Sequence, residues 1–173
     1  MTDEHALYAI LAALAVTLVT ACAGSPTPLA RAPAPRAVEA ARWSLHGGHT
    51  VVVRGTRLTI YDGVGRRLAS SPRLIRRCEE DPTCPCEGFR AIEPNADGFD
   101  VVQQICAGWM FVLERVMVRR DVDGAYVVRA VRYELIDRAA PDESRQVEWT
   151  AQAAAAPSLR DVDLDAIYGA VAP

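Results

Sequence analysis

WMFVLERVMVRR (Trp109–Arg120) and AYVVRAVRYELID (Ala125–Asp137), with Asp123-Gly124 between them, read as the two strands of a hairpin. Both runs are rich in β-branched and aromatic residues, and apolar and polar positions alternate, the period of a strand with one buried face. Asp-Gly suits a two-residue type I′ turn, whose central positions both need positive φ. That turn sets Val116 against Val131, Val112 against Leu135 and Glu114 against Tyr133. One face then carries Met110, Val112, Val116 and Val118 with Val127, Val131, Tyr133 and Leu135, and is the expected core side. The other face opposes Arg115 to Arg132, with Glu134 expected to compensate.

Working outward, Thr50–Val53 and Arg57–Tyr61 are short β-favouring runs broken by Gly55 and by Asp62-Gly63, and Phe99–Cys106 is a further strand. Gln146–Thr150 adds one more. At the C-terminal end Leu159, Val162, Ala166 and Ala170 follow helical spacing, with Ser158 and Asp161 expected to cap the start. The expected fold is mainly β: an antiparallel sheet of hairpins or a meander, sandwich- or barrel-like, with one C-terminal helix.

Cys78, Cys84, Cys86 and Cys106 punctuate a stretch holding Pro82, Pro85, Pro94, Gly88 and Gly98, in which little strand or helix pattern is visible. Four cysteines in one domain read as two disulfides stapling this loop. A Cys84–Cys86 bridge across a single proline is badly strained. Two pairings stay open: Cys78–Cys84 with Cys86–Cys106, or Cys78–Cys86 with Cys84–Cys106. A zinc site is disfavoured by the spacing, since structural sites use Cys pairs two to four residues apart.

Other candidate ligands are weaker. His46 and His49 flank two glycines and could hold copper or zinc, although such a pair is more simply a solvated turn. Asn95, Asp97 and Asp100 resemble part of a calcium loop, but Gln104 stands where the closing bidentate Glu belongs. No nucleophile elbow, phosphate-cradling loop or dinucleotide fingerprint is present. Nothing positive therefore marks an enzyme and no cofactor is expected; a carboxylate hydrolase within residues 78–100, or metal handling by the histidines and thiols, are the alternatives to a binding role.

Ala6–Val19 contains no charge. As a helix these residues span roughly 21 Å, short of a bilayer core of roughly 30 Å, a length that suits the apolar part of a cleaved export signal. The run ends in Val19-Thr20-Ala21-Cys22, which resembles the lipobox of bacterial prolipoproteins. The resemblance covers residues 1–22 and implies cleavage after Ala21, with diacylglycerol and palmitate-type chains on Cys22. Met1–His5 departs from the pattern, carrying Asp3 and Glu4 where export signals begin basic. Residues 22–42 hold four prolines and many alanines, a composition for an extended stalk of at most roughly 60 Å. The implied organisation is a signal peptide at 1–21, a lipidated linker at 22–42 and a globular domain at 43–173. The domain would then stand in the periplasm or at the cell surface, with Ala23 leaning toward the outer membrane over the inner.

Charge bounds the partners. The chain of 173 residues carries a formal −3, and losing Asp3 and Glu4 leaves −1, which argues against binding nucleic acid through backbone electrostatics. The total hides a split: Trp43–Arg77 holds seven Arg and one acid, Asp62, whereas Cys78–Asp100 holds seven acids and one Arg. The blander reading is that the two stretches face each other or are separately solvated; the sharper one is a basic face turned toward anionic lipid or polyanionic glycan. The expectation is thus a non-catalytic binding or structural module of the cell envelope, with an envelope protein or a glycan as partner.

Overall fold

The computed structural model describes residues 40–76, 88–107, 109–152 and 155–171. These belong to one compact unit, 38–173. The signal peptide, Cys22, most of the linker, Cys78, Cys84 and Cys86 lie outside the described residues.

Among the described residues nine strands form two antiparallel meanders. The first sheet is β1 (Ala41–Ser44), β2 (Thr50–Arg54), β3 (Arg57–Tyr61) and β4 (Arg67–Ser71), in that order. The second is β5 (Gly88–Asn95), β6 (Gly98–Ala107), β7 (Met110–Arg120), β8 (Tyr126–Asp137) and β9 (Ser144–Thr150), also in chain order. One helix, α1 (Leu164–Val171), follows. The mainly β expectation with a C-terminal helix therefore holds, with two sheets rather than one.

Both sheets contribute to a single apolar cluster. Val51, Val53, Leu58 and Ile60 come from the first sheet, Phe99, Val112, Val116 and Tyr133 from the second, and Leu159, Val162, Leu164 and Ile167 from the C-terminal segment. Leu74 and Ile75, on the connection between the sheets, are buried in the same cluster. Strand alternation explains the selection, because every second residue of a strand points to the same face.

The central hairpin shows how a local error can be cancelled. Val116 faces Val131, Val112 faces Leu135 and Glu114 faces Tyr133, as expected. The turn, however, is not a two-residue type I′. Arg120 pairs with Tyr126, Gly124 N–H donates to Asp121 O at 3.0 Å, and Gly124 is left-handed, at φ +81°. This longer loop would shift the register by one, and a bulge between Met117 and Val118 restores it. The bulge also changes which valine turns inward: Val128 and Tyr126 join the core cluster, not the expected Val127.

Two further expectations are corrected. The stretch after Cys86 is not patternless, since Gly88–Asn95 is β5; a register shift between Phe89 and Ala91 hides its alternation. As an edge strand it tolerates Pro94, which lacks a donor. The first strand among the described residues, β1, pairs Ala41 with Val53. The helix starts at Leu164, later than expected. Asp163 Oδ1 accepts from the N–H groups of Asp165 and Ala166, both at 3.0 Å, and so caps it. Ser158 and Asp161 instead close a separate turn upstream.

Candidate anion-binding face

Gly55 and Thr56 join β2 to β3 so tightly that Arg54 pairs directly with Arg57. Alternation puts both on the face away from the core, with Thr50, Val52, Thr59 and Tyr61, while Val51, Val53, Leu58 and Ile60 point in. On β1, Arg42 pairs with Val52 and shares the outer face. These side chains line a pocket of about 550 Å³. A second pocket, of about 800 Å³, shares Arg57 with the first, runs along β4 from Arg67 and reaches Arg160 before α1.

Like charges directly opposite on a sheet destabilise it, by something on the order of 0.2–1 kcal/mol. The other directly opposed arginine pair among the described residues is neutralised by acids. Arg115 and Arg132 are also directly opposed, yet Arg115 is held by Glu93 and by Asp100 at 3.1 Å, and Arg132 by Glu148 at 2.7 Å. Hydrogen bonding to Glu93 keeps Arg115 above the usual guanidinium range. Glu134, the expected partner, is not the one used. Arg42, Arg54, Arg57, Arg67 and Arg160 make no ion pair among the described residues. Asp62, which lines the same pocket, is already committed: its carboxylate accepts from the backbone of Arg66 and Val64 and from the Arg66 side chain, bonds that lower its pKa.

Of the weaker candidates, His46 is exposed on the turn before β2, whereas His49 Nδ1 lies 2.7 Å from the Tyr126 hydroxyl. The structure thus gives His49 a tyrosine, not a shared ligand with His46. Asn95 donates to Asp100 at 3.2 Å, and Arg119 reaches Asp100 at 2.7 Å and Asp97 at 3.4 Å. Those carboxylates are spent on arginines. No cluster of three or more His, Cys, Asp or Glu among the described residues could hold a metal. Cys106, half-buried near the end of β6, is not free. It is also the one cysteine among the described residues, so no disulfide can be drawn between two of them.

Sequence reasoning missed a buried polar cluster. Glu114 has no exposure at all, and Arg76 Nε and Nη2 both reach its carboxylate at 3.0 Å. Gln103, equally buried, donates to Glu114 and to Leu74 O, and its Oε1 accepts from Arg76 N–H at 3.0 Å. Arg76 also holds Asp165 at the start of α1. Burial disfavours the Arg76 charge, but bonding and attraction from Glu114 and then Asp165 outweigh it and raise its pKa. Desolvation, with the Glu114 charge adding to it, drives the neighbouring Tyr133 phenol well above its ordinary range. The visible signal was a lone acid in the apolar stripe Val112, Glu114, Val116. The arrangement is a clamp that pins α1 and the 72–76 connection to the second sheet.

No protein-family model, curated protein or solved structure matches this chain.

Proposed function

We propose that this protein is a lipid-anchored lipoprotein of the bacterial cell envelope, acting as a non-catalytic binding module. The observation that carries the reading is the uncharged run Ala6–Val19 ending in Val19-Thr20-Ala21-Cys22. Two acyl chains on Cys22 make attachment stable, at about 0.8 kcal/mol for each buried methylene. The Pro/Ala-rich stalk lifts a stacked, sandwich-like pair of sheets off the bilayer, on the outer membrane in preference to the inner. In that oxidising compartment Cys78, Cys84, Cys86 and Cys106 form two disulfides that staple the loop ahead of β5. The partner is an envelope glycan or protein met by the exposed face of a sheet.

Cell fractionation of the Cys22→Ser variant tests this. The variant is expected to keep its unprocessed mass, to lack acyl chains and, held by its uncleaved apolar run, to stay with the inner membrane; unchanged processing and location would remove the tether. Mass spectrometry of the unreduced protein is expected to show the loss of four hydrogens, two for each bridge.

A further inference from the structure

We propose that the outer face of β1–β3, continued past β4, is a binding site for a polyanionic polysaccharide strand, a deepening that rests on the envelope-module reading above. Arg54 and Arg57 are forced opposite each other by a tight turn, Arg42 joins them, and none has an acidic partner among the described residues. Elsewhere the chain surrounds an opposed arginine pair with acids. Among the described residues this face has no acid set against these arginines, which leaves their charge open to a ligand. The planar guanidinium fork fits carboxylate, sulfate or phosphate oxygens two at a time.

Shape and chemistry favour a glycan over a lipid surface. The arginines line two concave pockets that meet at Arg57, so the positive charge follows a track and not a dome. Crossing four strands at roughly 4.8 Å spacing, the track runs about 14 Å, a few sugar residues. Thr50, Thr59 and Tyr61 line the same pocket and offer hydroxyls to sugar hydroxyls between the charged groups. Five arginines against Asp62 and Asp123 make the combined lining positive, on a chain whose total charge is −3.

The test uses the full chain in neutral detergent micelles, titrated with polygalacturonate and with neutral dextran of the same length. Polygalacturonate is expected to bind, to weaken as salt rises, and to lose about one unit of the logarithmic salt slope for each arginine removed. Arg42→Gln/Arg54→Gln/Arg57→Gln is expected to weaken binding at least about tenfold. Arg145→Gln, an exposed arginine of β9, is expected to change little. Should the triple variant fail to fold, Arg57→Gln alone is expected to weaken binding by about threefold or more. Equal binding of dextran, unchanged affinity in the arginine variants, or displacement of the polysaccharide by micelles doped with phosphatidylglycerol at equal charge would each overturn the proposal. The location of Cys22→Ser is read separately, so loss of the tether and loss of the glycan site are told apart.

Discussion

Glu114 is a fully buried carboxylate in the middle of an apolar stripe, and its charge is tolerable only because Arg76 meets it with a fork and Gln103 supplies another donor. A buried pair adds little stability relative to apolar replacements, because desolvation offsets attraction; breaking it leaves an uncompensated charge and is costly. Arg76→Ala is therefore expected to lose about 3–5 kcal/mol in denaturant unfolding. Arg76→Met combined with Glu114→Leu should lose clearly less than the two single changes added together. Additive losses would show that the two side chains do not act as a unit. Glu114's inward direction was readable from strand alternation. Arg76, 38 residues earlier in the chain, carries no local sign of its role, because the pair exists only once the two sheets have met.

The loops β3–β4 and β7–β8 are two copies of one device. Asp62 and Asp121 each accept from two backbone N–H groups within their loop, and the residue three positions on, Gly65 or Gly124, is left-handed at φ +83° or +81°. The pattern is Asp-x-x-Gly-x, with the acid supplying an Asx-type cap. Reading Asp62-Gly63 and Asp123-Gly124 as the working dipeptides located both loops but picked the wrong geometry in the second. Gly63 and Gly65 then separate cause from coincidence. A Cβ on Gly63 meets only ordinary contact, with Gly48 O at 3.5 Å, whereas Gly65 needs the left-handed conformation. Gly65→Ala is expected to cost about 1–2 kcal/mol and Gly63→Ala close to nothing, read as midpoints of thermal unfolding. Equal effects would refute the shared-turn account. Strands β4 and β5 escaped sequence reading for a related reason: RLASS (Arg67–Ser71) is short and small-sided, and the shift near Arg90 breaks the alternation of β5. Propensity alone is weak where pairing partners decide the strand.

At the scale of the molecule, one core has to serve two sheets that, among the described residues, share no strand-to-strand hydrogen bonds. The first sheet has only four short strands, and its inner valines, leucine and isoleucine are covered by residues of the second sheet and of the Leu74-Ile75 connection. A small sheet stripped of that cover has too little buried apolar surface to stand alone. The sheets should therefore melt together, with calorimetric and van't Hoff enthalpies in agreement. Amide exchange should be slowest along β7, the middle strand of five, where Val112, Val116 and Val118 are wholly buried. The amides of Val51 and Ile60 are expected to exchange within about 1 kcal/mol of that global value, since opening the first sheet uncovers the core of the second. Exchange of Val51 and Ile60 through a separate, much cheaper opening would mean that the first sheet is an independent flap. The arginine track would then sit on a mobile surface, its groups no longer fixed at the spacing that recognition of a charged chain requires.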